Sequence, residues 1–156
     1  MSYTNTKSHI NNSAATILIV DDEPQICEFV RWVLEDAGYL TRVAESGPCA
    51  IDAVAASGYP DLLLTDLKMP QMYGDELAAR LRVERPGLKV LYLTGLSQEL
   101  FRHRDALSEG EGVIEKPCSA KEILEGISLL LSGSAADAPA EQPCGRLVGR
   151  AWPLDV

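Results

Sequence analysis

Three short runs constrain the fold of this chain more than any other feature. Thr16–Val20 (TILIV), Asp61–Thr65 (DLLLT) and Lys89–Leu93 (KVLYL) are nearly continuous in apolar residues. Each is short for a helix, and none shows the in-out alternation of a strand with one wet face. Such runs suit strands buried on both faces, which occur in parallel sheets covered by helices on each side.

The intervening sequence supplies the helices. Pro24 suits a first helical turn. Ile26, Phe29, Val30, Val33, Leu34 and Ala37 then recur at helical steps, and Gly38 closes the helix. Tyr39–Ala44 is expected as a second strand, and Ser46-Gly47-Pro48 as the start of a helix to about Ser57. Gly74–Glu84 is expected as a helix stopped by Pro86-Gly87, Ser97–Glu109 as a polar helix, and Gly112–Glu115 as a short fifth strand. Ser119 and Glu122 make a capping box for a last helix to about Leu131, with Ile123, Leu124, Ile127, Leu130 and Leu131 as its apolar positions. Five strand–helix alternations imply an α/β, doubly wound, five-stranded parallel sheet with right-handed crossovers and helices on both faces.

Residues 1–15, rich in Ser, Thr and Asn, are expected as a flexible leader, 16–131 as the domain, and 132–156 as a flexible tail. That tail carries a basic-apolar patch (Arg146, Leu147, Val148, Arg150, Trp152) that can serve as a docking segment. About 25 residues are also too few for a helix-turn-helix or cyclase domain, and the Met1 leader together with this tail favours a stand-alone domain over one excised from a larger protein.

Charge and cysteine usage narrow the function. Acidic residues outnumber basic ones 23 to 14, a formal net charge of -9, and no Lys/Arg run occurs. Direct nucleic-acid binding needs a basic face, so a cation or a basic protein partner fits better. No segment approaches the apolar length of a membrane span, and the leader lacks a signal-peptide core, so the cytoplasm is the expected compartment and no membrane contact is expected. Cys27, Cys49, Cys118 and Cys144 are scattered, which suits reduced, unpaired thiols. Cys118 is expected as a buried thiol, Met69 and Met72 as packing residues, and Trp32 as half-exposed.

In sheets of this kind ligands bind outside the carboxyl ends of the strands. Asp21, Asp22 and Glu23 follow the first strand, Asp66 the third, Thr94 and Gly95 the fourth, and Lys116 and Pro117 the fifth. Three carboxylates on one edge repel unless a cation intervenes, and hard oxygen donors suit Mg2+. An Asp carboxylate can be a nucleophile toward phosphorus. Lys116 can neutralise a phosphoryl oxygen, and Thr94 can hydrogen-bond beside it.

The segments ILIVDDEP, DLLLTDLKMPQMYG, VLYLTG and EKP, in this order, resemble the receiver domain of two-component response regulators over roughly residues 16–131. The resemblance implies a flavodoxin-like strand order 2-1-3-4-5, Asp66 as phosphoacceptor, and Mg2+ held by Asp21, Asp22, Asp66 and the backbone carbonyl of Lys68. Thr94 would be the switch hydroxyl, and Lys116, ahead of a typically cis bond to Pro117, the phosphate-pairing lysine. It further implies a sensor histidine kinase or histidine phosphotransfer domain as donor, a downstream protein partner, and a homodimer through the face made by the helix over 97–109, the fifth strand and the last helix. A module of this type catalyses only its own phosphorylation and dephosphorylation. One departure stands out. The position three before the lysine usually carries an aromatic switch residue and is Val113 here. Lys68 and Leu96 occupy the positions that set phosphate loss, and Leu96 cannot orient a water, so slow self-dephosphorylation is expected. Two other readings remain. A haloacid-dehalogenase-type phosphatase needs a DxD after its first strand, where this chain has Asp21-Asp22-Glu23. A pseudo-receiver would bind partners without ever carrying phosphate.

Overall fold

The structure, a computed structural model, describes residues 14–95 and 107–132. The elements run β1 (Thr16–Val20), α1 (Pro24–Asp36), β2 (Leu40–Ala44), α2 (Gly47–Ser57), β3 (Leu62–Thr65), α3 (Gly74–Glu84), β4 (Lys89–Thr94), β5 (Glu111–Glu115) and α4 (Ala120–Ser132). The strands form one parallel sheet in the order β2-β1-β3-β4-β5, as the resemblance implies.

The sheet has an apolar layer on each face. Leu18, Val20, Leu63, Val90, Tyr92 and Val113 pack with residues of α2 and α3. Ile17, Ile19, Leu64, Leu91, Leu93 and Ile114 pack with residues of α1 and α4. Every residue of β3 is buried, which explains why its sequence is a continuous apolar run. Helix α4 lies close because Gly126 has no side chain: a Cβ there would stand 3.1 Å from the Ile114 Cδ1.

Local signals place the helix starts. The Ser46 Oγ accepts from the Cys49 N–H at 3.1 Å. Ser119 and Glu122 bond each other's backbone N–H groups, at 2.9 and 3.1 Å. Gly38 takes φ +100° just beyond α1.

Five expectations need correction. Phe29 and Ala37 do not face the core: Cys27, Val30, Val33 and Leu34 do, and Phe29 is 41% exposed. The helical rotation that buries Val30 and Leu34 brings Cys27 inward and turns Phe29 out. Trp32 is more exposed than expected, at 67%. Cys118 is only half-buried. The helix expected over Ser97–Glu109 falls mostly outside the described residues, but Leu107–Glu109 are not helical; they form the turn into β5. That strand begins one residue earlier than expected, at Glu111. The Glu111 carboxylate accepts from the Ser108 N–H at 2.9 Å, lies 3.5 Å from both the Arg82 Nη1 and the Tyr92 hydroxyl, and is thereby held in a buried position.

Candidate functional site

The sheet's hydrogen bonding runs one residue past its strands and places the site. The Asp21 N–H donates to the Ala44 carbonyl, the Asp66 N–H to the Val20 carbonyl, and the Lys116 N–H to the Thr94 carbonyl, at 3.3, 3.0 and 3.0 Å. All three residues therefore meet at the carboxyl edge. The Lys116 ammonium stands 3.1 Å from the Asp21 Oδ2 and 3.4 Å from the Asp66 Oδ2. One carboxylate oxygen from each of Asp21, Asp22 and Asp66 lies within 4.8 Å of the others.

The two inner carboxylates are held differently. Asp21 is only 2% exposed. Its Oδ1 accepts from the Glu23 N–H at 2.9 Å. Burial pushes its carboxyl above the usual range, and the Glu23 bond and Lys116 only partly offset this. Asp66 is partly exposed, and its Oδ1 accepts from the Leu67 N–H at 2.7 Å. Asp22 is exposed. Burial pulls the Lys116 ammonium toward deprotonation, yet Asp66 and Asp21 together carry it above its ordinary value, so it stays charged.

Of the remaining expected residues, Thr94 is the last residue of β4 rather than one beyond it, and is buried. Lys68 sits in the β3–α3 loop with an exposed side chain. The Lys116–Pro117 bond is cis. Leu96 lies outside the described residues. Val113 is fully buried beside Tyr92, in the layer under α2 and α3.

Sequence reasoning missed two supports. The Cys27 thiol donates to the Asp21 carbonyl at 3.3 Å, and burial followed by the nearby Asp21 charge pushes it up to about 11. Gly74 backs Asp66: a Cβ there would lie 2.1 Å from the Asp66 carbonyl oxygen, while its own N–H donates to the Leu67 carbonyl at 2.7 Å. The glycine was visible in DLKMPQMYG, but only the folded loop shows what it touches.

The donor chemistry passes the test for a divalent cation. Three carboxylates and one ammonium leave two negative charges uncompensated among these four residues, and all the acidic donors are hard oxygens.

Comparison with known proteins agrees with the fold. The model of the response regulator receiver domain matches residues 17–128, and the chain belongs to that family, whose members are signalling modules. It is 34% identical over 136 residues to the probable transcriptional regulatory protein TcrX of Mycobacterium tuberculosis, covering 85% of this chain and 58% of that protein. The chain thus spans a little over half the length of that relative. A response regulator receiver protein from Sinorhizobium medicae superposes with a TM-score of 0.70 at 26% identity, covering 78% of this chain and 97% of that one. The response regulator protein TrrA of Thermotoga maritima, solved in complex with Mg(2+)-BeF, superposes with a TM-score of 0.64 at 31% identity, covering 75% and 99%. No helix among the described residues is long and apolar enough to cross a membrane.

Proposed function

We propose that this chain takes a phosphoryl group onto Asp66 and changes a protein-binding face when it does. The observation that carries the reading is the Lys116 ammonium, bonded to Asp21 and Asp66 where three carboxylates converge. The Leu67 N–H fixes one Asp66 oxygen and so orients the other. A carboxylate oxygen of Asp66 attacks the donor's phosphorus, and the donor group leaves with the bonding pair. Lys116 pairs with a phosphoryl oxygen, and the Thr94 hydroxyl bonds another. Asp21, Asp22, Asp66 and the Lys68 carbonyl would hold Mg2+, which when bound neutralises charge on the transferred group.

In this reading the donor is a sensor histidine kinase or a histidine phosphotransfer domain, and the phosphorylated form selects a downstream protein in the cytoplasm. Residues 16–131 form the functional unit, flanked by 1–15 and 132–156. The face of β5, α4 and the segment between β4 and β5 serves the output or a homodimer. With Val113 buried in the core, that switch runs without an aromatic at this position.

The test is exposure to a small acyl-phosphate donor with Mg2+, read by intact mass, beside Asp66→Ala. One phosphoryl group, absent from the variant and labile to hydroxylamine, is expected. No adduct together with no Mg2+ binding overturns the reading and leaves a module that binds partners without phosphate.

A further inference from the structure

We propose that residues 143–152 of this chain fold back onto the exposed aromatic face of α1. The inference is independent of phosphorylation. Phe29 and Trp32 stand one helical step apart, 41% and 67% exposed. Glu28, Glu35 and Asp36, all exposed, run along the same side of the helix. Arg31 is the single base among them, and it is paired with Glu35 at 3.2 Å. Two large aromatics turned to water on an acidic helix form a surface suited to a basic, apolar segment.

The chain carries such a segment. Residues 143–152 read PCGRLVGRAW, with Arg146, Arg150, Leu147, Val148 and Trp152 and no acid. They lie outside the described residues, but the place where α4, the last described element, ends is known. The Lys89 ammonium at the start of β4 donates to the Leu130 carbonyl at 3.1 Å, so α4 ends at the amino edge of the sheet. Helix α1 ends at that edge too, where the Leu40 N–H meets the Ala15 carbonyl at 2.9 Å, and both helices cover the same face.

The stretch 133–145, which leads from α4 to Arg146, holds four Ala, two Gly and two Pro. At about 5–6 Å per square-root residue its root-mean-square span is about 20 Å. The 13 residues of α1 extend about 20 Å as well. A tether matched to its target gives an effective concentration in the mM range, so even a weak contact is populated.

Trp32 and Trp152 are the two tryptophans of the chain, which provides the readout. In a Trp152→Phe background, acrylamide quenching of Trp32 is compared with and without Arg146→Glu/Arg150→Glu. Covering about half of the exposed indole lowers its quenching about twofold, so the charge reversal should raise quenching about twofold, independently of dilution. The reciprocal pair keeps Trp152 as reporter in Trp32→Phe and applies Glu28→Lys/Asp36→Lys, with the same rise expected. Equal quenching with and without charge reversal in both backgrounds overturns the proposal. Protection that fades on dilution also overturns it, in favour of a second copy on α1.

Discussion

Replacing Gly74 by Ala sets two effects of opposite sign against each other. In a helix, Ala is favoured over Gly by roughly 0.5–1 kcal/mol. Gly74 is the first residue of α3 and its φ is not positive, so no backbone strain opposes the change. The new Cβ, however, would stand 2.1 Å from the Asp66 carbonyl oxygen and 3.2 Å from the Leu67 Cα. The first distance is about 1 Å short of contact, and a backbone atom cannot rotate aside as a side-chain tip can. The β3–α3 loop must shift, and it carries the Leu67 N–H that holds the Asp66 Oδ1. Overpacking costs about 1–3 kcal/mol, which the helix preference for Ala partly offsets, so a net loss of about 1 kcal/mol is expected in denaturant unfolding. A 1 Å displacement of a reacting group costs about 100-fold in rate, so phosphorylation by an acyl-phosphate donor should slow by about that factor. Gly87→Ala is the control, because nothing lies within 4 Å of its Cβ position and its φ is not positive. It should change stability by less than about 0.5 kcal/mol. A Gly74→Ala protein as stable as wild type and phosphorylated as fast would refute the reasoning.

Three further outcomes are expected. At pH 8 a thiol pushed from 9.0 to about 11 holds roughly 100-fold less thiolate, so alkylation followed by peptide mass should mark the exposed Cys49 long before Cys27. Because that folded value lies above the unfolded one, the neutral thiol stabilises the fold fully below pH 9, and this contribution, on the order of 2 kcal/mol, is lost as pH rises through 11; unfolding curves that do not weaken across that window would contradict it. Arg82→Met removes the Arg82 bonds to the Leu88 and Glu109 carbonyls and its ion pair with Glu111; a loss of about 2–4 kcal/mol is expected, with Glu111→Gln recovering part of it in a double-mutant cycle, whereas additivity within about 0.5 kcal/mol would show no coupling. With Leu96 two residues after Thr94 in sequence, the position that the family resemblance ties to phosphate loss, phosphoryl loss followed by mass after donor removal should be slow, and a lifetime as short as that of the fastest chemotaxis-type receivers would disprove the role given to that residue.

The sheet was legible because burial on both faces leaves a run such as TILIV or LLLT no polar position to hide. The caps were legible because Ser46 and the Ser119–Glu122 pair act over three residues of chain. The strand ends named the site, since a parallel sheet collects its strand ends on one edge. What stayed hidden depended on rotation and on long-range contact. Hydrophobicity alone ranks Phe29 above Cys27 as a core residue, and only the seating of α1 on the sheet reverses them. Glu111 reads as a turn acid until Arg82, 29 residues earlier, comes to lie beside it. Gly74 reads as a helix start until the Asp66 carbonyl is found where its side chain would be.

The three hydrogen bonds that continue the sheet beyond its strands also govern how the site can fluctuate. The amides of Asp21, Asp66 and Lys116 are each tied to the carbonyl of a neighbouring strand's last residue, so the backbone carrying these charged groups cannot separate while β5 stays zipped to β4 and the central strands stay paired. Opening the site then requires opening the sheet, and its amides share the exchange protection of the most persistent part of the fold. The acid cluster is thus a stiff template, and freedom to evolve new timing or new partners falls to the loops and outer helix faces around it.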